Sequence, residues 1–173
     1  APSFIRFGSF EHWAARNKPA ELRQLADYVI DRFRPECREA ANPYDALLRD
    51  VSRRTGELIA HWMAIGFMHG VMNTDNMSMR SETIDYGPYG WLEKYDLQWT
   101  PNTTDAEGRR YCYANQPAIA QWNLSRLGNA LYPLIERVCN GCTRQPKVTS
   151  LHGLARLHID QGIQKFRQVL EVR

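Results

Sequence analysis

The amino-acid sequence predicts an α+β domain that is mostly α-helical. Two segments with apolar residues at helical spacing precede Gly66. A stretch rich in glycine and proline follows, and helical spacing returns after Pro117. At 173 residues the chain is about the size of one domain, and its 43% hydrophobic and 24% charged content is ordinary for a globular protein.

The first predicted helix begins at Pro19, because proline is favoured at the first helical position. The apolar residues that follow recur at the spacing of one helix face. They are Leu22, Leu25, Ala26, Val29, Ile30 and Phe33. Asn42-Pro43 then breaks the chain and opens a second, longer helix that ends near Gly66. The apolar stripe of that helix comprises Leu47, Leu48, Val51, Leu58, Ile59 and Trp62.

The stretch from Gly66 to about Pro117 is divided by glycines and prolines into short segments. Within it, Glu82-Thr-Ile-Asp85 is expected to form a short strand that carries Asp85 at its end. The glycine fingerprints of Rossmann and P-loop proteins are missing from the sequence, so a dinucleotide site or a Walker-type site has no support.

Helical spacing resumes from Ile119 to Val138, and Pro133 is expected to kink this helix. A last helix is expected from Leu151 to Val172. The chain starts without an initiator methionine and inside what reads as an ordered segment. We therefore expect it to be a piece of a longer protein.

The chain is mildly basic, and its sequence holds no candidate membrane span. The net charge is +3, and the closest basic pairs are Arg53-Arg54 and Arg109-Arg110. The simplest interpretation of these pairs is solvated surface; a surface for phosphates or an acidic partner is the weaker alternative. No apolar run approaches the roughly 20 residues needed to cross a bilayer, and the N-terminus lacks the features of a secretory signal.

The cysteines do not form a disulfide framework for a chain of this length. They are Cys37, Cys112, Cys139 and Cys142. Cys139-Asn-Gly-Cys142 is half of a zinc site, which His152 and His158 downstream could complete. A turn with two ordinary thiols is the simpler interpretation.

The segment HGVMNTDNMSMRSETIDYGPYG, from His69 to Gly90, resembles a phosphate-transfer loop. Kinases use H-R-D-x-x-x-x-N followed by D-F-G, in which the first Asp orients the nucleophile and the Asn and second Asp hold Mg²⁺. On that spacing Asn76 takes the metal-binding Asn position and Asp85-Tyr86-Gly87 takes the D-F-G position. Val71 takes the position of the first Asp, and a valine can neither accept a proton nor bind magnesium.

Asp75 lies beside Asn76 on the same loop and is a candidate general base, because a carboxylate next to a metal stays ionised. The structural alternative is that Asn73-Thr-Asp-Asn76 forms only Asx turns, whose side chains cap backbone groups. The spacing by itself leaves both interpretations open.

Several long strings together resemble the selenoprotein O (SelO) family. They are PSFIRFGSFEHWAARN, HGVMNTDNMS, TIDYGPYGWLEKYD, NQPAIAQWNLSRL and the N-x-x-D-x-x-G-R region from Asn102 to Arg109. The resemblance runs from about Pro2 to Ile135 and implies a protein-kinase-like fold. Members of this family were classed as pseudokinases, yet they bind ATP in an inverted orientation and transfer AMP to Ser, Thr or Tyr hydroxyls of proteins.

The resemblance also implies a role for individual residues. Asp75 matches the catalytic base, and Asn76 and Asp85 match the ligands of Mg²⁺ or Mn²⁺, with Asp85 also beside the nucleotide phosphates. Arg6 matches one of two phosphate-contacting arginines, a role that suits the fork of N–H donors on a guanidinium. The second arginine of the family lies seven residues before Arg6, outside this sequence.

From this resemblance we expect residues 1–138 to form part of a kinase-like C-lobe, with the metal and catalytic loop at 66–92. Residues 139–173 do not resemble the family and are expected to form a divergent helical tail. The Gly-rich loop, ATP-binding Lys and paired Glu of the family belong to an upstream lobe, so the segment is expected to be inactive alone.

The expected partners are ATP and proteins that bear the acceptor hydroxyls, without nucleic acid or membrane. The compartment expected by analogy is the cytoplasm in bacteria or the mitochondrion in eukaryotes. Three alternatives stay open: a catalytically silent ATP-binding module, a conventional kinase that transfers the γ-phosphate, and a structural domain with zinc at Cys139 and Cys142.

Overall fold

The structure is a computed structural model that describes residues 1–139. Its helices and strands are α1 (Phe7–Ala15), α2 (Pro19–Phe33), α3 (Pro43–Ala64), β1 (Phe67–Met68), β2 (Gly90–Trp91) and α4 (Gln116–Cys139). Short 3₁₀ turns lie at Pro35–Glu39, Thr74–Asn76, Thr103–Asp105 and Tyr113–Asn115. The described part is therefore mostly helical with one small two-stranded sheet, which confirms the predicted class at that level.

Helices α2 and α3 begin where their proline residues predict. Pro19 and Pro43 are the first residues of the two helices, where a missing N–H costs nothing. Asn42 precedes α3, and its Oδ1 accepts hydrogen bonds from the backbone N–H groups of Tyr44 and Asp45, each at 3.2 Å. These donors have no partner inside the helix, so the asparagine defines where α3 starts.

The core lies where α4 packs against α1 and α3. Buried apolar side chains from all four helices meet there. They include Phe7, Phe10, Leu22, Ile30, Leu47, Val51, Ile59, Leu124, Leu127, Leu131 and Leu134. The apolar stripes predicted for α2 and α3 therefore face this core, with Leu25, Phe33 and Leu58 at its partly buried edge.

The prediction of a strand at Glu82–Asp85 is wrong. The two strands are β1 and β2, which pair antiparallel with Phe67 opposite Trp91 and Met68 opposite Gly90. Residues 82–85 are held instead by individual hydrogen bonds, such as the one that Trp62 Nε1 donates to Thr83 Oγ1 at 3.0 Å. Asp85 has a φ of 55°, in the left-handed region that a strand does not use.

Helix α1 has no counterpart among the predicted elements, because nine residues show too few repeats of helical spacing to be recognised. It is held by its surroundings: Phe7 and Phe10 are fully buried in the core. At its start, Ser9 Oγ accepts a hydrogen bond from the backbone N–H of Arg6 at 3.3 Å. Short helices of this kind depend on tertiary packing more than on helix propensity.

Other predictions concern the C-terminal part of the chain. Pro133 lies inside α4, while the kink expected there stays a prediction. The helix expected from 151 to 172, the partner thiol Cys142 and the two downstream histidines lie outside the described residues, as does the side chain of Cys139. Among the helices of residues 1–139, none has the length and apolar character that crossing a bilayer requires.

Candidate active site

The N-terminal segment pairs with the chain that follows the candidate loop. The backbone N–H of Phe7 donates to the carbonyl of Met77 at 3.0 Å, and that of Met79 donates to the carbonyl of Ile5 at 3.0 Å. Arg6 lies between these bonds, opposite Ser78 in an antiparallel bridge. This pairing holds the N-terminal segment next to the candidate loop.

Arg6 is consequently in direct contact with Asp85. Its Nη2 lies 3.1 Å from Oδ1 and 2.9 Å from Oδ2 of the carboxylate. Each side chain keeps about a third of its surface exposed, at 35% for the arginine and 32% for the aspartate. Asp85 adopts a left-handed backbone conformation, and the N–H of Gly87 donates to its carbonyl at 2.7 Å. Such conformations recur where a side chain must be aimed into a site.

The strand that leads into the candidate loop is bound by a side-chain amide from α4. Gln116 is fully buried and pairs with the loop entry as a neighbouring strand would. Its Nε2 donates to the carbonyl of Phe67 at 3.0 Å, and its Oε1 accepts from the backbone N–H of His69 at 3.1 Å. Strand β1 pairs with β2 along one edge, and the buried backbone groups on its other edge need such a side chain to satisfy them.

Two further buried amides hold the next turn of the loop. Asn102 Nδ2 donates to the carbonyl of Gly70 at 3.0 Å, and Asn123 Nδ2 donates to the carbonyl of Met72 at 2.7 Å. Gly70 has a φ of 82°, and a Cβ at this position would lie 2.3 Å from the carbonyl oxygen of Pro88. The loop therefore requires glycine at position 70, both for its conformation and for the close approach.

Asn76 and Asn73 play different parts in the loop. Asn73 forms the Asx turn that the structural alternative predicts, because its Oδ1 accepts from the N–H of Asp75 at 3.0 Å. Asn76 Nδ2 donates to the carbonyl of Val71 at 2.8 Å. That bond fixes the orientation of the Asn76 side-chain amide. The other polar atom of this amide, the carbonyl oxygen Oδ1, is an acceptor. The loop is thus an Asx turn that also presents an oriented amide oxygen.

Asp75 is exposed and lies against the first turn of α1. A Cβ built on Gly8 would lie only 1.9 Å from Asp75 Oδ1 and 3.0 Å from its Cγ. The carboxylate therefore occupies the space that any side chain at position 8 would take. Arg6 and Gly8 together bring the N-terminal segment against both candidate carboxylates, Asp85 and Asp75.

His69 connects the loop to the residue before Asp85. It is 1% exposed, and its Nε2 lies 2.6 Å from the carbonyl oxygen of Ile84. Burial lowers the pKa of His69 below its usual 6.5, which favours the neutral ring. Since a carbonyl only accepts, the neutral ring carries its proton on Nε2 and donates it to Ile84.

The donor chemistry at Asn76 and Asp85 fits a hard divalent cation. Asp85 Oδ2 is buried and has no hydrogen-bond partner of good geometry, although Arg6 Nη2 lies 2.9 Å away. A carboxylate oxygen and an amide oxygen are ligands that Mg²⁺ accepts, and Mg²⁺ completes its shell with water and substrate phosphates. Within residues 1–139 no three His, Cys, Asp or Glu side chains converge on a metal position.

An aromatic cluster flanks Asp85 on the exposed side. Tyr86, Tyr89 and Trp91 surround the buried ring of Phe67 at centroid distances of 6.3, 6.2 and 5.5 Å. Their exposures are 58%, 43% and 52%. Because Tyr86 follows Asp85 in the sequence, an exposed aromatic surface begins next to that residue.

The structure brings Arg6 to Asp85 and Gly8 to Asp75, and it orients Asn76. Sequence reasoning missed Gly8 and the three amide side chains that hold the loop, Asn102, Gln116 and Asn123. All four lie inside the strings that carried the family resemblance, which was their one signal. A single amide in a helix or loop otherwise reveals nothing of a contact tens of residues away.

The sequence matches those of known proteins over most of its length. The sequence model of the family "Protein adenylyltransferase SelO" matches residues 1–173. The protein nucleotidyltransferase YdiU of Dechloromonas aromatica is 66% identical over 136 residues, covering 79% of this chain and 27% of that protein. The YdiU proteins of Nitrosospira multiformis and Rhodopirellula baltica are 64% and 55% identical over 139 and 142 residues, each covering 79% of this chain and 25% and 26% of the relative. The chain thus spans about a quarter of the length of these relatives.

Proposed function

This chain belongs to the SelO family of protein adenylyltransferases, and from that premise we propose that it carries the base and metal-binding part of an AMP-transferring enzyme. The substrates are ATP and proteins that bear Ser, Thr or Tyr hydroxyls. Residues 1–138 form part of the C-lobe of a protein-kinase-like fold in this proposal, and the rest of the nucleotide site comes from other parts of a longer protein. The contact between Arg6 and Asp85 is the observation that carries the proposal.

Arg6 binds phosphate oxygens in the proposed complex. Its guanidinium is partly exposed and is already oriented by Asp85, so little side-chain freedom remains to be lost on binding. A guanidinium stays charged at every physiological pH and donates two parallel N–H bonds to a phosphate. The arginine is shared between the carboxylate and the nucleotide when ATP is bound.

Asn76 and Asp85 hold the divalent metal, Mg²⁺ or Mn²⁺, in this proposal. The metal supplies positive charge that offsets the charge of the phosphates during transfer. The orientation of the Asn76 amide by Val71 and the poorly satisfied oxygen Oδ2 of Asp85 support these assignments. Val71 therefore contributes its backbone carbonyl to the site, although its side chain has no catalytic chemistry.

Asp75 accepts the proton of the acceptor hydroxyl. It is exposed, so a protein substrate can reach it, and its carboxylate is seated against the first turn of α1. The hydroxyl oxygen attacks the α-phosphorus of ATP, the bond to the β-phosphate oxygen breaks, and pyrophosphate leaves. The products are an AMP ester of the protein and pyrophosphate, and the hydroxyl proton passes to Asp75.

The proposal is tested with the full-length protein, metal and ATP labelled at either the α- or the γ-phosphate. The expected result is protein labelling from α-labelled ATP and none from γ-labelled ATP. Asp85→Ala abolishes the labelling, whereas Glu107→Ala, which changes an exposed carboxylate in another loop, retains it. Label from the γ-phosphate instead would make the protein a conventional kinase.

Val71 favours a second candidate, a catalytically silent nucleotide-binding module, because it occupies the place of the usual kinase Asp. That candidate predicts metal-dependent ATP binding without transfer of either label. The compartment in the proposal is the cytoplasm if the source is bacterial, as the three relatives named above are.

A further inference from the structure

Gly8 occupies the second position of α1, directly beneath the Asp75 carboxylate. The Cβ of any other residue would lie 1.9 Å from Oδ1, whereas real Cβ atoms stay at least 3.0 Å from such neighbours. The carboxylate would have to move by about 1 Å to restore that separation. Position 8 therefore determines how closely Asp75 approaches the N-terminus of α1.

The backbone of Gly8 does not itself require glycine. The residue is helical and its φ lies outside the left-handed region, in contrast to Gly66 and Gly70 with φ of 68° and 82°. Alanine is favoured over glycine inside a helix. What the glycine provides at this position is the space that the carboxylate fills.

Both sides of this contact are held by other bonds. Phe7, next to Gly8, donates its N–H to Met77, so the first turn of α1 cannot shift away from the loop. On the loop side, Asn73 accepts from the N–H of Asp75 through its side chain and from the N–H of Asn76 through its carbonyl. A side chain at position 8 would therefore displace the carboxylate before it displaced either backbone.

We propose that Gly8 is a positioning residue for Asp75: it seats the carboxylate against the N-terminal turn of α1 in the place from which it receives the acceptor proton. The inference rests on the proposed role of Asp75 as the base. In this inference Gly8 does not touch the substrate but determines the position of the base.

The test is a double-mutant cycle in the full-length protein with Gly8→Ala, Asp75→Ala and the two combined. Gly8→Ala is expected to lower kcat for AMP transfer about 100-fold, the effect of a 1 Å misplacement, with KM for ATP within about twofold of the wild type. In the Asp75→Ala background the same change has no further effect on the residual rate. Gly108→Ala is the matched control, since its Cβ would meet only Asp105 Oδ1, at 3.8 Å.

Thermal unfolding gives a second readout that does not depend on activity. Gly8→Ala is expected to raise the unfolding midpoint of Asp75→Ala, because alanine is favoured in a helix and the colliding oxygen is gone; in the wild type it raises the midpoint less or lowers it, because the carboxylate must move. If Gly8→Ala alone fails to fold, restored folding of the double variant supports the inference. A wild-type rate in Gly8→Ala, or an equal change of midpoint in both backgrounds, overturns it while the proposed function stands. A wild type that transfers no AMP overturns both.

Discussion

Arg6 and Asp85 are in contact although 79 residues separate them in the sequence, with Nη2 3.1 Å from Oδ1 and 2.9 Å from Oδ2. The pair joins the residue expected to bind phosphate to a residue expected to bind metal. Each charge keeps the other in place before any nucleotide is present. Because both side chains stay about one-third exposed, water screens the pair and its own contribution to stability is modest.

Replacement of Arg6 is expected to weaken ATP binding more than it weakens the fold. Loss of a charge-assisted contact to phosphate corresponds to about 1.5–3 kcal/mol, or roughly a 10- to 150-fold rise in the ATP dissociation constant of Arg6→Ala. Arg6→Lys recovers part of this affinity, because lysine keeps the charge without the two-pronged geometry. Calorimetric titration of the full-length protein with ATP and Mn²⁺ measures the change.

Arg16→Ala is the matched control for that titration, since Arg16 is an exposed arginine that bonds to His12 near the end of α1. Its affinity for ATP is expected to equal that of the wild type. Equal affinities in Arg6→Ala and the wild type would refute the phosphate-binding role of Arg6.

Asn123→Ala is expected to destabilise the protein by about 1–3 kcal/mol, the cost of leaving a buried carbonyl without its donor. Asn123 is fully buried on α4, and its amide is bonded to the carbonyl of Met72 in the candidate loop. Asn129→Ala, on the exposed face of the same helix, should change stability by less than about 0.5 kcal/mol. Urea denaturation compares the two, and similar midpoints would show that the bond to Met72 carries little stability.

Asp50→Ala is expected to cost about 3–5 kcal/mol, because it leaves the buried guanidinium of Arg34 without its counter-charge. Arg34 Nε lies 2.6 Å from Asp50 Oδ2, and the two side chains are only 8% and 16% exposed. Arg34 also donates to the carbonyl of Arg80, so the same change should loosen the segment after Asn76.

Asp45→Ala is the control for that measurement, since it removes a surface pair with Arg49 on the same helix and should cost no more than about 1 kcal/mol. Chemical denaturation of both variants provides the comparison. Equal losses would mean that the Arg34–Asp50 pair behaves as an ordinary surface pair.

His69 is expected to make the protein less stable as the pH falls below about 6.5. Burial lowers its pKa in the folded state, so in the range between that lowered value and the usual 6.5 the unfolded chain binds a proton that the folded chain does not. Acid therefore favours the unfolded state across this window. His69→Gln removes the titrating group and keeps an N–H donor for the carbonyl of Ile84.

The measurement is the unfolding midpoint as a function of pH from 7.5 to 5.5, a range of about two units around the usual histidine pKa. The wild type should lose more stability than His69→Gln over that range. Parallel curves for the two proteins would contradict a buried neutral histidine.

Local pattern predicted much of this molecule. Apolar spacing and proline positions identified α2, α3 and α4, because a helix brings residues three and four apart onto one face whatever surrounds it. The spacing of Asn76 and Asp85 matched that of two metal-binding residues, and this match identified the loop as a candidate site. Asp75 was a candidate base from its place beside Asn76, and the family resemblance favoured that role over a simple Asx turn. The assignment of Arg6 needed the resemblance entirely, since an isolated arginine has no local signature.

Only the tertiary structure decided how these parts meet. The pairing of β1 with β2, the contacts of Arg6 with Asp85 and of Gly8 with Asp75, and the amides that hold the loop all join residues far apart in sequence. A strand of two residues is too short to show the alternation of apolar and polar residues that identifies strands. The side-chain amides of α4 reach their partners only when α4 packs on the loop. Local spacing encodes elements, whereas the approach of two carboxylates to one N-terminal segment depends on how the helices pack.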